Sequence, residues 1–183
     1  MRHSSQALEQ FLVSVERRAF VMAKIATRNT DDALDIVQDA MLGFVKRYAK
    51  RTEDEWKILF FTTLQSRIRD WYRRTRVRTR WRVWLDEWRS SDEAPTGDPM
   101  AKLADPAGHS PAERMILDDS RAALEAALRS LPLRQQQAFL LRAWEGMNVR
   151  ETAAVMRCSE GSVKTHYSRA VTTLRTLLEN QWT

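Results

Sequence analysis

The chain has 183 residues, with 30 Lys and Arg against 24 Asp and Glu, for a net charge of +6. Its single cysteine, Cys158, excludes an internal disulfide and a zinc-finger framework, and three scattered histidines form no metal-ligand set. No apolar run has membrane-spanning length and MRHSSQALEQ has no signal-peptide core, so a cytoplasmic protein with a polyanionic partner is expected.

Five Gly and five Pro, with many Ala, Leu, Arg and Glu, suit an all-α fold. Leu8, Phe11, Leu12, Val15, Ala19, Met22, Ala23 and Ala26 recur on one helix face, predicting a first helix over about residues 6–28. After the break at Asn29-Thr30, Thr30 is the expected cap of a second helix, with Asp31 and Asp32 in its dipole-favoured first turn. Its apolar stripe is Ala33, Ile36/Val37, Ala40/Met41, Phe44/Val45 and Tyr48. Asp32, Asp35, Gln38 and Asp39 lie opposite, and such a patch reads either as solvated surface or as a binding site.

A third helix is expected from about Glu55, with Trp56, Leu59, Phe60, Leu64, Ile68, Trp71 and Tyr72 as its apolar and aromatic positions. Beyond Ser66 the arginines 67, 69, 73, 74, 76, 78, 80 and 82 face one acid, Asp70. Arginines beside Trp71 and Tyr72 are the ingredients of a surface that holds phosphates and stacks unpaired bases, although both aromatics also suit a core. Trp81, Trp84 and Trp88 continue the helical spacing, and either dock on the N-terminal bundle or await a partner.

The stretch SSDEAPTGDPMAKLADPAGHSP holds four of the five prolines and reads as a flexible linker. Its acids Asp92, Glu93, Asp98 and Asp105 either keep the surface soluble or cover the basic surfaces when nucleic acid is absent. Helical periodicity returns at Met115/Ile116, Ala123/Leu124, Ala127/Leu128 and Leu131, until Pro132. LRQQQAFLLRAW follows as a helix with Phe139, Leu140, Ala143 and Trp144 apolar and Gly146 just past its end.

Asn148 with Glu151 forms a capping-box signature, and Val149, Ala153, Ala154 and Met156 give a short helix one apolar side. Arg157-Cys158 breaks the pattern, with Cys158 a small apolar plug, and Ser159 caps the next helix. There Val163, Tyr167, Ala170, Val171, Leu174, Leu177 and Leu178 repeat at the helical period. The pair reads as a helix-turn-helix whose second helix enters the major groove. Ser162, Lys164, Thr165, His166, Ser168 and Arg169 are its early exposed hydrogen-bonders, although two ordinary core helices would show the same period.

Together these segments resemble the extracytoplasmic-function (ECF) sigma factors, the smallest members of the sigma-70 class of bacterial RNA polymerase. Residues 32–41, DALDIVQDAM, are similar to the family's core-binding signature, with Leu34 where an acid is usual. Residues 56–74, ending DWYRR, resemble its melting and −10-recognition helix, and 159–165, SEGSVKT, its recognition-helix start. Leu131-Pro132, QAFLLR and Glu145-Gly146 resemble the approach to its C-terminal region. Arg157 stands where the turn usually has Gly, His166 where Arg is common, and Val171 where a base is common.

The resemblance implies two small helical domains: residues 1–90 for core-polymerase binding and −10 recognition, and 112–183 as the −35 helix-turn-helix, joined by the linker 91–111. Asp32, Asp35, Gln38 and Asp39 would dock on the polymerase β′ clamp helices, and the C-terminal domain on the β flap. Lys50, Arg51, Arg67, Trp71, Tyr72, Arg73 and Arg74 would meet the −10 element, and Ser162, Lys164, Thr165, Ser168 and Arg169 the −35 duplex. The linker would thread near the polymerase active centre. An anti-sigma partner is implied, and no cofactor, metal or catalytic residue. One rival is a one-component regulator with a helical sensing domain, which leaves the 67–82 arginines without a job. A second is a nuclease holding Mg²⁺ on Asp32, Asp35 and Asp39.

Overall fold

The computed structural model describes residues 2–86 and 111–179, with side chains described from Gln6 to Thr75 and from Ser120 to Glu179. Among them every element is helical: α1 (Arg2–Thr27), α2 (Thr30–Tyr48), α3 (Glu53–Asp86), α4 (Pro111–Ser130), α5 (Leu133–Phe139), α6 (Val149–Met156) and α7 (Glu160–Glu179). A π-helical turn, Leu140–Trp144, continues α5. The linker and Trp88, the side chains of Trp81 and Trp84, and those of Arg76, Arg78, Arg80 and Arg82 lie outside the described residues.

α1, α2 and α3 pack around Val15, Ala19, Met22, Phe44, Phe60, Phe61, Leu64 and Ile68, all almost fully buried. Phe60 meets Phe44 and Phe61 edge-on at centroid distances of 5.7 and 5.3 Å, a geometry that adds about 0.5–1.5 kcal/mol per pair beyond area burial. The cap of α2 is Asn29 rather than Thr30: its side chain accepts from the Asp32 amide at 3.0 Å. α3 starts at Glu53, two residues earlier than the apolar pattern marks, because Glu53, Asp54 and Glu55 all favour a helix N-terminus.

α5, α6 and α7 gather around Ala138, Leu141, Met156, Val163, Ala170 and Leu174, with the C-terminal part of α4 across α7. Within α6 the buried side is Thr152, Ala153, Val155 and Met156, while the expected Ala154 is exposed. Ala143 and Trp144 are exposed instead of apolar core. The π-turn explains this: Glu145 N donates to Leu140 O at 3.0 Å, five residues back, so one extra residue re-phases the face. Leu141, Glu145 and Met147 turn inward instead.

The two helix groups touch where α3 meets α6 and α1 meets α4. Much of this seam is polar. Gln137 Nε2 donates to Gln65 Oε1 at 2.8 Å between two buried side chains. Lys57 Nζ donates to Glu145 O at 2.6 Å, and Arg28 Nη2 to Arg129 O at 2.6 Å. The Glu145 carboxylate is fully buried, 3.1 Å from Arg18 Nη1 and 4.0 Å from Lys57 Nζ, within ion-pair range but outside hydrogen-bond geometry.

Candidate nucleic-acid and partner interfaces

The C-terminal helix-turn-helix is built from two capped helices. Asn148 Oδ1 accepts from Glu151 N at 2.9 Å while Glu151 Oε2 accepts from Asn148 N at 2.8 Å, closing the capping box on α6. α6 ends with Arg157 in the left-handed conformation (φ 53°, ψ 55°). Cys158 N donates to Ala153 O at 3.1 Å and Arg157 N to Ala154 O at 3.3 Å, the Schellman pattern. The sequence singled out this position, and the structure supplies the reason: the turn needs a left-handed residue, and Arg occupies it. Cys158 is partly buried against the core.

Ser159 Oγ accepts from Ser162 N at 3.1 Å and starts α7. Lys164, Thr165, Ser168 and Arg169 are exposed on its first turns, in two adjacent i, i+4 rows, with Ser162 half-buried at their head. The structure therefore brings these five side chains together. Tyr167 faces inward, stacked on Phe139 at 6.2 Å with Arg142 5.7 Å from its ring centroid, while Leu177 is exposed. His166 is half-buried; burial and then Arg134 and Arg169 hold its pKa below the ordinary value, so the ring is neutral at pH 7.

On α2, Asp35, Gln38 and Asp39 are exposed and Asp32 half-buried, all on one side. The sequence reading missed their apolar neighbours: Leu34 and Leu42 are each 51% exposed, and Val45, expected inside, is also at the surface. Because Ile36, Val37, Ala40 and Phe44 already satisfy the core, these three form a separate stripe. Two leucines about two helical turns apart on the polar side, Leu34 and Leu42, were the available signal.

The residues assigned to the −10 element are split. Lys50 and Arg51 sit in the α2–α3 turn, where Arg51 approaches Glu55 at 3.9 Å. Trp71–Arg74 lie some 20 residues along α3, roughly 30 Å away at helical rise. Arg67 lies between, 3.9 Å from Asp39, so one member of each expected surface pairs with the other. Trp71 packs against the core, whereas Tyr72 is 37% exposed beside exposed Arg73 and Arg74. Asp70 pairs with Arg73.

Among the described residues no His, Cys, Asp and Glu cluster is arranged to hold a metal, and no helix is long and apolar enough to cross a membrane. The Asp39–Arg67 pair gives one acid of the α2 row a different partner.

Residues 121–174 match the family model described as sigma-70, region 4. Over 145 residues the chain is 32% identical to the RNA polymerase sigma-E factor of Streptomyces coelicolor, covering 79% of this chain and 70% of that protein. It is 27% identical over 172 residues to the ECF RNA polymerase sigma factor SigM of Mycobacterium tuberculosis, covering 94% and 77%. In fold it is similar to the sigma factor RpoE of Bartonella quintana, solved in complex with the anti-sigma factor NepR. That match has a TM-score of 0.63 at 23% identity, over 93% of this chain and 96% of the other.

Proposed function

Because the chain belongs to the ECF sigma factors of the sigma-70 class, we propose that it binds core RNA polymerase through α2 and reads promoter DNA through α3 and α7. It directs promoter-specific transcription initiation, and the one-component regulator is set aside. Residues 1–90 form the domain that engages polymerase and the −10 element, 91–111 the connector, and 112–183 the −35 domain.

The observation that carries the division of labour is the exposed stripe on α2. Leu34 and Leu42 stand in water beside Asp35, Gln38 and Asp39 while the same helix fills its core with other residues. In a sigma factor it serves as an apolar-centred, acid-rimmed face for the β′ clamp helices, where a few buried anchors dominate affinity. The β flap would meet the C-terminal domain.

On the DNA side, Lys164, Thr165, Ser168 and Arg169, with Ser162, meet base edges and phosphates of the −35 duplex. Tyr72, Arg73, Arg74 and Arg67 lie along the −10 strand, with Lys50 and Arg51 at the far end of the element. Stacking at about 1–3 kcal/mol per base offsets the few kcal/mol of unpairing, and exposed Tyr72 is the better placed aromatic. Trp71 supports the helix from the core side. No residue of the chain performs chemistry, which is the polymerase's, and the protein works in the cytoplasm where polymerase is. An anti-sigma factor would cover the same two faces; the structural relative RpoE was solved in complex with one.

Co-elution with core polymerase tests the assignment. The wild-type chain co-elutes, and Asp35→Arg weakens binding at least tenfold with an unchanged circular dichroism spectrum. Undiminished binding by that variant would move the polymerase face off α2.

A further inference from the structure

At the seam, α3, α5 and the α6–α7 turn line an open cleft of about 480 Å³. This lies within the roughly 300–1,000 Å³ of small-ligand sites. Four arginines line it: Arg69 and Arg73 from α3, Arg134 from α5, and Arg157 from the turn. One acid, Asp70, shares the cleft, and it is paired with Arg73. Arg69, Arg134 and Arg157 form no ion pair among the described residues.

We propose that this cleft is a binding site for a small diphosphate, held by the guanidinium groups of Arg69, Arg134 and Arg157. Three observations converge on it. Arg69 Nη1 is buried without a hydrogen-bond partner, a donor left for a ligand to satisfy. Arg134 is fixed in place, because its Nη1 donates to Met156 O at 2.8 Å while the rest of its fork stays available. Arg157 occupies a left-handed backbone position that glycine takes without steric cost, so the turn carries a strained arginine at the wall of the cleft.

Electrostatics favour an anion. Burial first, then Arg134 and Arg157, depress the pKa of Arg69, and Asp70 offsets this only in part, so the seam gathers like charges. A phosphoryl group carries about 1.5–2 negative charges near neutral pH. One therefore leaves excess positive charge on three guanidiniums, and two linked groups match it. Arginine forks suit phosphoryl oxygens through paired N–H donors. A ligand seated there touches both helix groups and ties them together. The site does not rest on the transcription reading, because it is tested on the chain alone.

Calorimetric titration of the full chain with inorganic pyrophosphate, at constant ionic strength, tests the proposal. The expected result is one saturable site per chain, weakened at least tenfold in Arg157→Gly. That variant keeps or raises the melting temperature of the anion-free protein, which separates lost binding from lost folding. Arg134→Gln is expected to weaken binding likewise. No saturable binding, or equal affinity in Arg157→Gly, would overturn the proposal. So would binding of a single-stranded oligonucleotide without binding of pyrophosphate, which would make the cleft a plain strand-binding surface.

Discussion

At the residue scale, side chains the sequence treated alike have different surroundings. Trp71 and Tyr72 are adjacent aromatics in one motif, yet one packs on the core and the other faces solvent. Helical phase alone did not separate them, because both lie near the boundary of the apolar stripe. Arg157 is the clearest case of a residue kept against its backbone preference. A non-glycine left-handed residue costs roughly 1–2 kcal/mol, partly offset by the entropy glycine loses on folding. Arg157→Gly should therefore stabilise the protein by about 0.5–1 kcal/mol. Differential scanning calorimetry should show that as a rise of roughly 2–4 °C per kcal/mol. On the DNA face, Arg169→Ala removes an exposed cation of α7. Binding of holoenzyme to a −35 duplex should weaken by about 1–3 kcal/mol, measured by fluorescence anisotropy, with core-polymerase affinity unchanged. Equal loss of both would contradict the separation of the two faces.

At the element scale, most boundaries were legible because they rest on local chemistry. The capping box of α6, the serine start of α7 and the charged first turn of α2 are written in adjacent residues, whereas the acidic start of α3 at Glu53 reads in the sequence as a connection. The π-turn was not legible. Its extra residue leaves the composition of LRQQQAFLLRAW ordinary, yet turns Glu145 into the seam. There burial outweighs Arg18 and Lys57 and raises the Glu145 pKa above its ordinary 4.5. A raised carboxyl pKa means the folded form holds the proton more tightly than the unfolded one. Its stabilising contribution is thus complete below pH 4.5 and is lost as pH rises through the elevated value. Glu145→Gln should flatten that part of the stability–pH curve and increase stability at pH 7, as followed by urea unfolding. A steeper fall in stability above pH 5 in the variant would refute this account of the seam.

For the molecule as a whole, the sequence showed two helical halves, but not the surface they share. Gln65 with Gln137, and Arg28 with the Arg129 carbonyl, join residues about 70 to 100 positions apart, and no local pattern encodes such pairs. In this arrangement Tyr72 and Arg73 of α3 line the same cleft as Arg157 of the α6–α7 turn. On the proposed function, in which Tyr72 and Arg73 meet DNA, engaging both promoter elements at once is expected to separate the halves. Lys57→Glu puts a carboxylate beside Glu145 and should open the seam. Small-angle scattering should then give a larger radius of gyration for the variant than for the wild type. The most direct test of the central claim is in vitro transcription on genomic DNA of the encoding organism, with the purified chain, core polymerase and sequencing of transcript 5′ ends. The account predicts discrete starts preceded by two shared motifs, absent without the chain and diminished by Asp35→Arg. Starts that are the same with and without the chain, together with no co-elution with core polymerase, would contradict it.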